Sequence, residues 1–493
     1  MAQKPDKSAS HLVLAAGAAT VALAAALSRG WEPGIPGEWV WDHNALGAYL
    51  VPALIAGLLL VGLVALRCRT KQWSRTGGVG RAAWLAALVL VVLALQWALL
   101  TALGPPSVSW GAPGWIIASP NATTYFAASL GVGDVRQWVA EYSQHMAELP
   151  YHAQTHPPGF VLLFLLLRKA AAAIIPHPGP AWGELAAAIN HRFVFELTPA
   201  DAVAAVGGAL VLSLAGALSL IPLYFLGRDL VGEKGAVCST ALMAGMPGLL
   251  LLGASGDQII LALAILTLWL CYGAWRKGGL VRPLLGGIAT SVGLFFSLGF
   301  AVVGAWLVAW LVLGLLRCED RHRATRRVLI AGGVAAVGFV IVHLLFYWLL
   351  GYRPVAVAQH AFSAHRDVTA VAAGRTYWIW VLMNPVEAAL FAGLPLVIAA
   401  AWSVRAIARD PALARLRVCL AAGLIVLVML DLSGAVRGEV GRIWLFLFWP
   451  AVLAAGAWLS SRPRLAAAAP LLLLLLVVQA LLMRGYLTIY SIL

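Results

Sequence analysis

Runs of about twenty apolar residues recur along this chain between residues 11 and 483. Each reaches about 30 Å as a helix, the thickness of a bilayer's hydrocarbon core. In lipid the backbone must satisfy its own hydrogen bonds, which leaves helices or a closed β-barrel. Barrel strands alternate polar and apolar residues, and these runs do not. The expected fold class is therefore all-α, a polytopic integral membrane protein. Composition agrees: the 493 residues are 62% hydrophobic and 11% charged, against roughly 45–50% and about 25% in soluble domains. A soluble enzyme, a disordered chain and a nucleic-acid module are excluded. The net charge of +14 does not imply nucleic acid, because Lys and Arg sit in short clusters between apolar runs, where they encode orientation.

Those clusters set the topology. Runs near 11–29, 46–66 and 82–103 come first, and Arg67, Arg69, Lys71, Arg75 and Arg81 lie between the second and third without an acid. That loop is expected in the cytoplasm, and so is the N-terminus with Lys4 and Lys7. The stretch 104–201, with four basic and six acidic residues, then lies outside. Further runs lie near 203–226, 236–253, 256–275, 283–297, 299–316, 328–350, 377–403, 418–435, 443–459 and 465–483. With about 13 transmembrane helices in all, the basic clusters at Arg276/Lys277/Arg282, Arg317 to Arg327, Arg405 to Arg417 and Arg462/Arg464 all fall inside.

Residues 159–175 are apolar but carry Arg168 and Lys169 at their centre. A central charge pair is costly against lipid, and a crossing here would invert every later loop. The segment is expected to be interfacial or re-entrant. Ala24, Ala25 and Ala26 would suit a signal-peptide cleavage site, but the first run is long for such a segment, and an uncleaved anchor is the reading adopted. Cys68, Cys238, Cys271, Cys318 and Cys419 all fall toward the cytoplasmic side of this scheme, away from oxidation. The chain reads as one continuous membrane domain with a loose boundary near residue 327, dividing 1–327 from 328–493.

Charges on the outer side are few and therefore informative. In loop 104–201, after Gly104-Pro105-Pro106 and Tyr125, Asp134 opens an amphipathic stretch with Val135, Trp138, Val139, Tyr142 and Met146 on one face. Asp134 stands where an N-cap belongs, so it is a cap or a reactive carboxylate. His152 and His156 follow, the latter before Pro157-Pro158-Gly159; His156 is an interfacial histidine or a ligand of the substrate. Asp257, ten residues after Pro247, is another N-cap or another site carboxylate. Two further outer loops hold His360, His365 and Arg375, and Asp431, Arg437, Glu439 and Arg442. The arginine fork suits phosphate, so Arg437 and Arg442 either hold a phosphate or bridge to Glu439 or Asp431.

The ordered set of an outer-loop Asp before an interfacial helix, a His-Pro-Pro motif, and a helix pair ending in Pro247 and then Asp257 resembles the protein O-mannosyltransferase-like branch of the GT-C glycosyltransferases, which includes the lipid A aminoarabinose transferases. The likeness covers about residues 115–315. It departs from that pattern at Gly159, where a Leu is usual, at Val135, where a second acid is usual, and at 295–299, where many members carry a Lys. The resemblance implies a polyprenyl-phosphate-linked sugar as donor and a glycan, lipid or protein acceptor on the outer face of the cytoplasmic membrane. It implies Asp134 as general base, Asp257 as second carboxylate and His156 beside the donor phosphate. Tyr125, His152, His360, His365, Arg375, Arg437, Glu439 and Arg442 are expected to line the substrate. No cofactor is assigned, and a divalent metal ion is left open. Two alternatives stand beside this reading: a transporter or flippase for a lipid-linked substrate, and an inactive scaffold of the same fold.

Overall fold

A computed structural model describes residues 8–44, 50–69, 78–102, 109–193, 195–367 and 374–490. Lys4, Lys7, Lys71, Arg75 and Gly104-Pro105-Pro106 lie outside the described residues. The protein is an all-α polytopic membrane protein. Among the described residues nine helices are long and apolar enough to cross a membrane. They are Ser8–Ser28, Val51–Cys68, Gly78–Thr101, Pro199–Ala244, Asp257–Lys277, Leu298–Leu316, Arg321–Leu350, Pro411–Leu432 and Ala469–Tyr486. A two-stranded ribbon pairs Gly34–Ile35 with Trp39–Val40.

The expected thirteen separate runs are not all long, straight helices. Runs 203–226 and 236–253 belong largely to one 46-residue unit, Pro199–Ala244. That unit breaks at Gly232, whose φ of 80° suits glycine. A β-carbon on Gly227 would lie 3.2 Å from Ala236 Cα, although nine residues of straight helix span about 13 Å. The chain therefore turns back on itself at Gly232. Runs 283–297 and 443–459 give the shorter helices Val281–Phe296 and Leu445–Ser460. Run 377–403 is two helices, Tyr377–Ala392 and Leu394–Arg409, bent by 106° at Gly393 (φ 97°), with Pro395 beyond.

Such breaks free backbone groups that lipid cannot satisfy, and glutamines take them up. At the Gly393 break, Gln479 Nε2 donates to the Leu390 carbonyl (2.8 Å), and Gln479 Oε1 accepts from Leu394 N (2.9 Å). Where Pro247 starts a new short helix, the Leu249 carbonyl accepts from Gln96 Nε2 at 2.8 Å and from Gln258 Nε2 at 3.0 Å.

The segment with the central charges is a sixteen-residue helix, Gly159–Ile174, packed against Pro199–Leu218 and Tyr125–Leu130. Arg168 is not left to lipid. Its Nε lies 2.7 Å from Asp201 Oδ1, and its Nη1 donates to the Ser129 carbonyl at 2.7 Å. Asp201 also completes a capping box with Thr198 at the start of Pro199–Leu218. One hydrophobic cluster runs from Leu12 to Tyr490, and residue 327 falls inside the helix Arg321–Leu350 rather than between elements.

Candidate functional site

Asp257 is placed by a buried turn. After the short helix Pro247–Leu251 the chain passes through 252–256, where Ser213 Oγ donates to the Gly253 carbonyl (3.1 Å) and Tyr490 Oη accepts from Ala254 N (3.0 Å). A β-carbon on Gly256 would sit 2.7 Å from the Phe160 ring, so only glycine allows the turn this close to the His-Pro-Pro segment. Gly256 takes the N-cap position of the next helix, and Asp257 is its first helical residue, with no side-chain cap bond. The expectation of Asp257 as an N-cap is corrected on this point. Its carboxylate instead accepts from Ser255 Oγ at 2.5 Å and faces Arg442, whose Nε is 3.7 Å away.

Arg442 comes from a loop that the neighbouring helix Tyr377–Ala392 organises. Asn384 and Glu387 stand one turn apart on that helix, on the same face. Asn384 Nδ2 donates to Asp431 Oδ1 and to the Val436 carbonyl, both at 2.9 Å, and its Oδ1 accepts from Gly438 N at 3.0 Å. Glu387 Oε1 accepts from Gly441 N (3.0 Å) and Trp41 Nε1 (3.1 Å). Between these anchors Glu439 adopts φ 58°, a left-handed conformation uncommon for a residue with a side chain. Its carboxylate spans two guanidiniums, Arg442 Nη2 at 2.8 Å and Arg375 Nη2 at 3.3 Å. The bridge expected between Arg442 and Glu439 is present. Among the described residues Arg437 forms none: its Nη1 donates to the Arg375 carbonyl at 2.7 Å, and Arg375 Nη1 donates back to the Arg437 carbonyl.

His156 meets this cluster from the other side. Its Nδ1 bonds to the His152 carbonyl at 2.9 Å and to Thr155 Oγ1 at 3.0 Å. A carbonyl only accepts, so Nδ1 carries the proton in the neutral ring and Nε2 keeps the lone pair. Tyr142 Oη donates to the His156 carbonyl at 3.0 Å. The Tyr125 ring lies 5.7 Å from His156, 6.5 Å from His152 and 4.8 Å from Phe160. Burial, with Arg442 and His365 nearby, pushes the His156 ring down to about 4, so it is neutral near pH 7. Burial likewise holds His152 well below its usual range and raises the Tyr125 phenol.

The structure thus brings together Tyr125, His152, His156, Asp257, Arg375, Glu439 and Arg442, with His365 at the edge through its bond to the Ala435 carbonyl (2.7 Å). Arg437 stands behind Arg375. Asp134 is not tied to this group by a described contact. It is exposed and caps Val135–Ala140, accepting from Gln137 N at 2.7 Å. It lines a separate cleft of ≈ 150 Å³ with Glu141 and His145. His360 is half-buried on Pro354–Arg366, with no described bond to the cluster.

Sequence reasoning missed four contributors. Asn384 and Glu387 act through long-range contacts, and Ser255 through its bond to Asp257 two residues on. Arg484 could have been flagged, since it is a charge at the end of the last apolar run. Its Nε donates to the Leu99 carbonyl at 2.7 Å. Among the described residues Arg484 Nη2, Arg375 Nε and Arg437 Nε are buried without a hydrogen-bond acceptor. Buried donors left unsatisfied are costly, so this end of the protein has unused capacity for an anion.

Among the described residues no group of three or more His, Cys, Asp or Glu side chains is arranged to hold a metal ion. The two carboxylates of the site, Asp257 and Glu439, both face the Arg442 guanidinium rather than a shared vacancy. The residues present do not fit a divalent metal. No protein-family model matches the chain, and no curated protein matches it.

Proposed function

We propose that this protein is a membrane glycosyltransferase that moves a sugar from a polyprenyl-phosphate donor to an acceptor hydroxyl on the outer face of the cytoplasmic membrane. The observation that carries the reading is the convergence of Asp257, Arg442 and His156 around Tyr125, with Arg375, Arg437 and Arg484 holding unpaired donors among the same elements.

The chemistry asks for a base and a cationic seat for the leaving group. The acceptor oxygen attacks the anomeric carbon while its proton passes to a carboxylate. The bond from that carbon to the phosphate oxygen breaks, and its electron pair leaves on the phosphate. Arg442 neutralises the growing charge, as preplaced cations do. We assign the base to Asp257, the carboxylate that shares the cluster with Arg442 and His156. Asp134, which the family resemblance favours, is the comparison to test.

The sidedness is part of the proposal. The two arms at Gly232 count as two crossings, the bent pair at Gly393 as one, and Val281–Phe296 and Leu445–Ser460 as one each. The total is then thirteen. The site end lies outside, and the end bearing Arg276, Arg317, Arg327 and Arg415 lies inside. A donor with a polyprenyl tail reaches such a site from the lipid without leaving the membrane.

The 106° break at Gly393 favours the transporter alternative, because broken helices line transporter sites. Gln479 already takes two of the freed groups of that break, the Leu390 carbonyl and Leu394 N, so these two are not open to a substrate.

The test is label transfer by the protein in lipid nanodiscs, offered a panel of polyprenyl-phosphate sugars with membrane extract as acceptor. Transfer by the wild type that falls at least about a hundredfold in Arg442→Gln supports the reading. Donor movement between leaflets without transfer would replace it with transport. Donor binding alone would make the chain an inactive scaffold.

A further inference from the structure

A large cavity lies at the other end of the bundle from the Asp257 cluster. It has a volume of ≈ 1190 Å³ and is walled by parts of the helices Asp257–Lys277, Ala301–Leu316, Leu394–Arg409 and Ala414–Leu432. Asp257 and Arg276 stand at opposite ends of one helix, so about 28 Å separates the two places. This cavity is not the sugar-transfer site.

Two features of its lining belong together. Five arginines contribute, Arg276, Arg317, Arg327, Arg415 and Arg417, and no described lining residue is acidic. Arg276 is engaged by Asp229, donating to its carbonyl at 2.9 Å, and Arg417 Nη1 donates to the carbonyls of Ile407 and Asp410. Arg317, Arg327 and Arg415 are exposed and form no side-chain hydrogen bond or ion pair among the described residues. The remaining wall is apolar, with Leu311, Leu420 and Leu424. Leu424 is 61% exposed and Val404, also on the wall, 64%, which opens the groove sideways. Trp275 and Trp310 stand edge to face, with centroids 5.8 Å apart, beside the arginines, at a level where tryptophan favours the membrane–water interface.

We propose that this cavity binds an anionic glycerophospholipid of the adjoining leaflet, with its phosphate among Arg317, Arg327 and Arg415 and its acyl chains along Leu311, Leu420 and Leu424. Uncompensated cations at the mouth call for an anion. An apolar wall open to the side calls for hydrocarbon attached to that anion. A free phosphate would use the first feature and leave the second bare.

The experiment uses the full chain in nanodiscs of mixed phosphatidylcholine and phosphatidylglycerol, with spin-labelled versions of each lipid reporting association with the protein. The wild type is expected to prefer phosphatidylglycerol by at least about tenfold. The triple variant Arg317→Gln, Arg327→Gln, Arg415→Gln should lose that preference. The triple Lys variant at the same positions should keep most of it and so controls for folding. Equal association of the two lipids with the wild type, or an undiminished preference in the Gln variant, overturns the proposal. Displacement of the labelled lipid by inorganic phosphate at matched concentration also overturns it, since the site would then be one for a free anion.

Discussion

Arg442 Nε stands 3.7 Å from Asp257 Oδ2, too far for a hydrogen bond, while Arg442 Nη2 is held at 2.8 Å by Glu439. One side of the guanidinium is committed, and the side toward Asp257 can still accept an oxygen. Arg442→Lys keeps the charge but not the fork. We expect it to lose about tenfold in transfer, and Arg442→Gln about a hundredfold or more. The ratio of the two rates in nanodiscs separates a forked seat from simple charge. Equal rates for Lys and wild type would remove the fork from the mechanism.

Proton uptake should accompany donor binding. His156 sits at about 4, kept there by burial with Arg442 and His365 near. A phosphate beside the ring favours the charged form and raises that value. Donor affinity should therefore rise as pH falls from 7 toward 5, with a limit of about tenfold per unit for one linked proton. Isothermal titration across that range, in wild type and His156→Gln, checks it. A slope that persists in the variant assigns the proton to another group.

The same depressed value has a consequence for stability. The folded ring titrates below the ordinary histidine value of 6.5, so unfolding takes up a proton between the two. His156 contributes no pH dependence above about 6.5, and stability falls as pH drops from there to about 4. Thermal inactivation in nanodiscs should show a shallower acid decline in His156→Gln than in wild type.

Gly159 is required by contact rather than by motif. A β-carbon there would lie 2.9 Å from the Phe295 carbonyl carbon and 3.1 Å from Phe296 Cα. The Leu usual at this place in the resembling family has no room, and the segment 295–299, where that family often has Lys, is the surface that Gly159 meets. Gly159→Ala should cost about 1–3 kcal/mol, read as a lowered inactivation temperature. Gly179→Ala, where a β-carbon meets nothing within 4 Å, is the control and should be close to neutral.

Asp201 carries two duties, the ion pair to Arg168 and the capping box with Thr198. Asp201→Ala removes both and leaves Arg168 partly buried without a carboxylate, an expected loss of about 2 kcal/mol or more. Pairing it with Arg168→Leu should recover part of that loss. Full additivity of the two losses would mean that the ion pair does not couple them.

The bundle was legible because lipid imposes one rule on every helix. Runs 46–66, 256–275 and 328–350 follow from apolar length alone, the last extended at its start by the basic turn from Arg321, and Arg168 set its segment apart as interfacial or re-entrant without pointing to Asp201 as its partner. The bend at Gly393 was visible in Gly393-Leu394-Pro395, but hydropathy averages across it. Within the site, Arg442, Glu439 and His156 stood out as rare polar groups in the loops expected to lie outside. The sequence could not show that Asn384 and Glu387 hold the loop carrying Arg442, because those bonds join residues about fifty positions apart. Nor could it separate a capping carboxylate from a site carboxylate. Asp134 and Asp257 read alike, and only the turn at Gly256 shows that the first caps its helix while the second faces Arg442.

The most direct measurement is sugar transfer in nanodiscs from the polyprenyl-phosphate panel, run side by side with wild type, Asp134→Asn and Asp257→Asn while donor binding is followed in each. The expected result is transfer by wild type, its loss in Asp257→Asn with donor binding retained, and substantial transfer in Asp134→Asn. Loss in Asp134→Asn with an active Asp257→Asn would keep the enzyme and move the base. Absence of transfer from every donor by the wild type would contradict the glycosyltransferase itself.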